Sequence, residues 1–157
     1  MDSNSEYFRA NVGALILRGD GKLLAFARAA GHNNEWQLPQ GGLSPGESTR
    51  DAVYREILEE TSITADRLVY VDQTEEWVGY ELPEPYRSAK TGRGQVQKWF
   101  VFRFEGTDQD IRPDNVEFKD WRWMRPEELL SAAAPFRRPV YKFLFKRFLL
   151  GKAQHSG

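Results

Sequence analysis

Three glutamates, Glu56, Glu59 and Glu60, crowd into the run REILEE at residues 55–60. On a helix they fall within an arc of roughly 100°, and Glu56 and Glu60 repel by roughly 0.2–0.5 kcal/mol. A solvated acidic face would look much the same, but it would usually alternate its signs. Here only Arg55 answers the carboxylates, and no further basic residue follows until Arg67. A glycine-rich loop, QGGLSPGES, stands immediately before them. Clustered carboxylates suit hard divalent cations such as Mg²⁺ or Mn²⁺, which fill the rest of their shell with water and substrate phosphate. A cation would also cancel the repulsion.

The elements that must position these groups are legible in outline. Ser48 caps the segment that follows the glycine loop, with Asp51 in its first turn. Val53, Ile57 and Thr61 share a face, so the pattern predicts a helix over 49–61 with the glutamates along one edge. Before the loop, residues 14–17 and 23–27 read as two strands around the turn at Gly19, Asp20, Gly21 and Lys22, and Trp36 opens a short extended piece. After the helix, 67–82 is strand-like with a bend near Glu75, and 83–95 is a polar loop. Residues 96–104 and 118–124 read as strands, the former with apolar residues on both faces, as in a strand covered on both sides. A short helix starts at Pro126, and the chain ends in a helix over about 137–150. Strands, helix, strands, helix in that order predicts a mixed β-sheet between helices, an α/β fold.

Composition narrows the function classes. The 157 residues carry a net charge of −1, with 40% hydrophobic and 29% charged residues, as in a soluble globular chain and unlike a strongly basic nucleic-acid coat protein. There is no cysteine, hence no disulfide framework and no thiol nucleophile, and His32 and His155 are too few for a histidine-rich metal site. His32 reads as a surface residue. The absence of an apolar run of spanning length points to a cytoplasmic protein with no membrane partner. The whole chain, 1–157, reads as one domain with a polar tail over 1–6, and nothing in it suggests a stable protein partner.

Residues 41–63, GGLSPGESTRDAVYREILEETSI, resemble the Nudix box, G-x5-E-x7-R-E-U-x-E-E-x-G-U, where U is bulky and aliphatic. Gly41, Glu47, Arg55, Glu56, Ile57, Glu59, Glu60 and Ile63 match. Ser62 replaces the glycine that would close the helix in a left-handed cap. The resemblance implies an α/β/α sandwich that hydrolyses a nucleoside diphosphate linked to another group, with Mg²⁺, or Mn²⁺ in its place. It implies Glu56, Glu59 and Glu60 as metal ligands, Gly41 and Glu47 as further contributors, and Arg55 orienting a glutamate.

Beyond the box, FRANVGALIL, WQLPQGGLSPGES, WVGYELP, GQVQKWFVFRF and EFKDWRWM resemble the branch holding bacterial RNA pyrophosphohydrolases and diadenosine tetraphosphate hydrolases. Gln40, within Pro39-Gln40-Gly41-Gly42, is typical of that branch, and the resemblance implies it as a substrate contact. By the same resemblance Glu117 is an additional metal ligand or the general base. The resemblance also implies Arg9, Arg28 and Lys98 as phosphate grips, although Ala29 stands where RNA enzymes often have a second arginine. Tyr80 would contact a base or the phosphates. In APFRRPVYKFLFKRF, Phe136 would stack on a base, and Arg137 and Arg138 would meet backbone phosphates. The basic C-terminal helix is equally a surface face with Val140, Phe143, Leu144 and Phe148 packed inward. The implied substrate is a 5′-triphosphate RNA end or, alternatively, a dinucleoside polyphosphate. A nucleotide-binding regulator without turnover is a distant third.

Overall fold

A computed structural model describes residues 7–29, 35–88 and 92–150. The tail over 1–6, His32 and His155 lie outside the described residues. The first strand, β1 (Phe8–Leu17), turns through Gly21 at φ +86° into β2 (Leu23–Arg28). Asp20 fixes that turn by accepting hydrogen bonds from Arg18 and from the Lys22 N–H. β1 begins earlier than its apolar run suggests. Its first half, FRANVG, is stabilised by pairing rather than by propensity: β1 lies parallel to β7 (Gly94–Phe104) along its whole length, from Phe8 opposite Gly94 to Leu17 opposite Arg103.

Two short strands follow, β3 (Trp36–Gln37) and β4 (Gln40–Gly42). The latter turns part of the expected glycine loop into an antiparallel partner of Asn11, Val12 and Gly13. Helix α1 (Thr49–Thr61) starts where the capping pattern places it, with Ser48 Oγ accepting the Asp51 N–H at 3.1 Å. The bend expected near Glu75 is a break between β5 (Leu68–Gln73) and β6 (Val78–Glu81), both antiparallel to β7. Thr74 bridges the break, donating its N–H to Trp99 O and accepting the Trp99 N–H on Oγ1. β8 (Phe118–Met124) pairs with β2, then α2 (Pro126–Ala132) and α3 (Arg138–Phe145) close the chain. α3 is preceded by a 3₁₀ turn at Pro135–Arg137 and runs into a π-helical turn at Lys146–Leu150.

The sheet is mixed, with path order β3-β2-β1-β7-β5, and period-two alternation gives it two apolar faces. Val12, Ala14, Ile16, Phe100 and Phe102 pack against Ala52, Val53 and Ile57 of α1. Leu15, Ala25, Trp99 and Val101 pack against Leu129 of α2 and Val140, Tyr141 and Leu144 of α3. This is an α/β/α sandwich. Of the tryptophans, Trp99 is fully buried and Trp123 belongs to the α1-side core, while Trp77 is exposed.

Candidate active site

α1 is held at both ends, so its carboxylate edge is fixed against β4. At the C-terminal end, Ser62 adopts φ 68°, ψ 4° and sends its N–H to Leu58 O. A serine therefore makes the left-handed cap, at a cost of about 1–2 kcal/mol relative to an unstrained residue. Its Oγ donates to Arg112 O at 3.0 Å.

Along the edge, Arg55 is the hub. Its guanidinium donates to both Glu47 oxygens (2.7 and 2.8 Å), to Glu56 Oε1 (2.8 Å), to Glu59 Oε1 (3.0 Å) and to Gly42 O (2.9 Å). Glu47 also accepts the Ser44 N–H at 3.0 Å. Arg55 holds the Glu47 carboxyl down at about 2, and both its oxygens are occupied. Glu60 is the opposite case. It is 2% exposed, and neither carboxylate oxygen meets a hydrogen-bond donor. Burial, with the charges of Glu117 and Glu56, pushes its pKa well above the ordinary carboxylate range; burial also raises that of Glu56.

Glu117 reaches Glu60 from far along the chain. Asp114 Oδ1 accepts the N–H groups of Val116, Glu117 and Phe118, each at 3.0 Å, and the Ala29 N–H bonds Glu117 O at 2.8 Å. The β2–β8 register shifts beside this point, between Ala27 and Arg28, and so delivers Glu117 to the acidic cluster.

A cleft of about 550 Å³ opens beside it, within the usual range for a small-ligand site. Arg9, Arg28, Gln40, Gly41, Arg55, Glu56, Tyr80, Glu117 and Arg137 all line it, so distant parts of the sequence converge there. Arg28 donates to Gln37 Oε1 at 3.1 Å, while its buried Nε has no acceptor. Arg137 donates to Gln40 Oε1 at 2.8 Å, and Gln95 Oε1 accepts from Gln40 Nε2 and from the Tyr80 hydroxyl. Phe136 packs beside this network against Tyr80 and Tyr86, with ring centroids 5.9 and 4.8 Å away.

Two of the expected phosphate contacts are placed elsewhere. Lys98 donates to the Glu75 carbonyl and stands over the Trp77 ring, because that side of β7 faces the β5–β6 break. Arg138 donates to Ala133 O and Ser131 O, capping carbonyls at the end of α2. Conversely, Asn11, Gln37, Gln95 and Tyr86 line the cleft without having been singled out in the sequence. Gln97 did carry a signal, a polar residue inside the strand expected over 96–104, whereas Gln95 fell at the end of the expected loop and joins β7 only in the structure.

The donor set fits a divalent cation. Ionised, Glu60 would leave two buried oxygens without a donor between two further carboxylates, a charge that a cation would offset and no side chain does. Among the described residues no three acidic or histidine groups converge closely enough to hold an ion unaided, Glu56 and Glu59 being drawn to Arg55. Water and substrate phosphate would complete the shell, as is usual for Mg²⁺.

A helix-sandwiched mixed sheet that sets pooled carboxylates against arginines across one cleft defines a hydrolase of phosphate-bearing substrates. The chain belongs to the Nudix family: the NUDIX domain matches residues 7–144. It is 40% identical over 146 residues to an RNA pyrophosphohydrolase of Cereibacter sphaeroides, covering 90% of each chain. To the RNA pyrophosphohydrolase of Rickettsia bellii it is 38% identical, covering 90% of this chain and 89% of that one. Among solved structures, a C. elegans Ap4A hydrolase complex superposes with a TM-score of 0.70 at 23% identity (91% and 98% covered). The E. coli dihydroneopterin triphosphate pyrophosphohydrolase gives 0.73 at 20% (92% and 98%).

Proposed function

We propose that the chain is a metal-dependent pyrophosphohydrolase, one domain over 1–157, that removes pyrophosphate from the 5′-triphosphate end of RNA in the cytoplasm. The observation that carries it is the opposition, within one cleft, of Glu56 and Glu117 to Arg9, Arg28 and Arg137. Glu56, Glu59, Glu60 and Glu117 would hold Mg²⁺, or Mn²⁺ in its place, beside the Gly41 backbone. Bound there, such an ion would polarise the phosphoanhydride and offset its charge. Glu47 serves indirectly, by gripping the arginine that orients Glu56 and Glu59. Glu117, exposed at the cleft, would take a proton from the attacking water. The arginines draw in the triphosphate, the unpaired Arg28 Nε offering a donor. Phe136, Tyr80 and Tyr86 supply ring faces for a base. The relatives named RNA pyrophosphohydrolase support the RNA end as substrate.

The aromatic trio also favours a second reading, in which it holds the far base of a dinucleoside polyphosphate. The test is a comparison of 5′-triphosphate RNA with diadenosine tetraphosphate under Mg²⁺, with products identified. Release of pyrophosphate from the RNA is the expected result, and turnover of the dinucleotide alone would exclude the RNA reading.

A further inference from the structure

One polar chain in the sheet lies apart from the carboxylates and arginines of the cleft. Trp99 Nε1 donates to Gln97 Oε1 at 3.0 Å, and Gln97 Nε2 donates to Asn11 Oδ1 at 2.7 Å. Its direction is forced from one end. An indole nitrogen only donates, so the atom of Gln97 facing it must be the carbonyl oxygen. The Gln97 amide nitrogen must then face Asn11, and Asn11 must turn its oxygen inward. Gln97 is fully buried and Asn11 is 3% exposed, so neither amide reorients at the expense of water. What remains is the Asn11 NH₂ group. Asn11 lines the cleft, and among the described residues no acceptor takes Nδ2.

The register explains why the chain ends there. Arg9, Asn11 and Gly13 of β1 lie opposite Gln95, Gln97 and Trp99 of β7, on one face of the sheet. Gly13 is required because a Cβ there would come within 2.4 Å of the Trp99 ring. Its absence lets the indole lie across β1 with its N–H toward Gln97.

We propose that Asn11 is a substrate-binding residue, a fixed hydrogen-bond donor to a phosphate oxygen of the bound polyphosphate. With its oxygen committed to Gln97, it presents only N–H to the cleft, which suits an anion and cannot ligate a cation. Arg9, Arg28 and Arg137 share that cleft. The inference rests on the reading of the cleft as a phosphate site, but not on what the phosphates are attached to.

Asn11→Asp keeps the acceptor for Gln97 and replaces the donor with an anion. Asn11→Ala removes the donor without adding charge. Binding of a 5′-triphosphate oligonucleotide and of inorganic pyrophosphate would be measured by calorimetry with Ca²⁺ replacing Mg²⁺ to slow turnover. The expected result is a tenfold or greater rise in Kd for both ligands in Asn11→Asp, and a smaller rise of about threefold or more in Asn11→Ala. Gln97→Met, which frees Asn11 to flip, should fall between wild type and Asn11→Asp. A purely structural Asn11 would lower Tm and leave pyrophosphate affinity unchanged, which overturns the proposal. Should Asn11→Asp not fold, Asn11→Ala decides, since unchanged affinity in a folded alanine variant also overturns it. Wild-type protein that binds pyrophosphate but not the oligonucleotide would remove the RNA reading and leave Asn11 to be judged on pyrophosphate. If wild type binds neither, the cleft is no phosphate site and the proposal fails.

Discussion

Gly41 and Glu56 approach so closely that a Cβ on Gly41 would stand 2.0 Å from Glu56 Oε2. The glycine at the head of the box is therefore steric: it leaves the space the carboxylate occupies. Gly41→Ala should push Glu56 out of place and lower kcat/KM on the order of 100-fold, the scale of an ångström-level misplacement. Circular dichroism and Tm should stay near wild type, since Gly41 lies on the cleft rather than in the core. Unimpaired turnover in a folded Gly41→Ala variant would show that Glu56 need not sit where it does.

Arg55 binds several carboxylates through one planar fork, which a lysine cannot copy. Arg55→Lys keeps the charge and loses the paired contacts to Glu47. Metal affinity, read from Mg²⁺ or Mn²⁺ titration of Tm, should fall about 10–100-fold. Glu47→Gln should shift it in the same direction, and the double variant should cost less than the sum of the two.

The metal-free protein should show the strain of Glu60 directly. Its folded pKa is raised, by burial first and then by Glu117 and Glu56, so the folded state resists ionising it. Below the ordinary carboxylate value of 4.5 the group is protonated in both states and contributes nothing. As pH rises above that value, the unfolded chain ionises first and stability is lost. With EDTA present, Glu60→Gln should therefore be more stable than wild type, by a margin that grows from about pH 4.5 upward. Mg²⁺ should raise the Tm of wild type and leave Glu60→Gln unchanged, while the variant loses turnover. Equal Tm–pH curves in EDTA would contradict the buried charge.

Tyr141 anchors α3 to the sheet. It is fully enclosed, edge-on to Trp99 at 6.1 Å, and its oxygen accepts the Leu38 N–H at 3.0 Å. Burial lifts its pKa to about 12, so it stays a neutral phenol across ordinary pH. Tyr141→Phe would orphan the Leu38 N–H and should cost about 1–3 kcal/mol in denaturant unfolding. The effect on kcat should be small, because the hydroxyl faces the core rather than the cleft.

Phe136 contacts two tyrosines and the Arg137 guanidinium, 4.8 Å from its ring, and none of them belongs to the buried core. Phe136→Ala should weaken binding of a triphosphate oligonucleotide by about 1–3 kcal/mol, the worth of one stacked base. Pyrophosphate affinity should not change, which separates base contact from phosphate contact.

Some of this was readable because it is local. Helical periodicity over 49–61 places Glu56, Glu59 and Glu60 on one edge whatever surrounds them, and Ser48 marks the start by its own side chain. The alternation in 96–104 announces a strand covered on both faces, as β7 is. The misreadings were non-local. Residues 8–13 lack strong strand character and are held by β7, while part of the glycine loop is a strand because β1 lies beside it. Lys98 and Arg138 have the charge to grip phosphate, and only the packing of the β5–β6 break and the end of α2 shows that they are engaged elsewhere.

The amino-acid sequence by itself carried the outline of the chemistry: carboxylates pooled on one helix edge, an arginine among them and a glycine-rich loop before them. Those depend on spacing within one helix and loop, which the backbone sets over a few residues. Tertiary structure supplied what spacing within one segment does not: Glu117 beside Glu60, Arg9, Arg28 and Arg137 lining one cleft, and Asn11 with its oxygen committed to Gln97. Those depend on strand register across the sheet, where a slip of one residue would move every side chain to the other face.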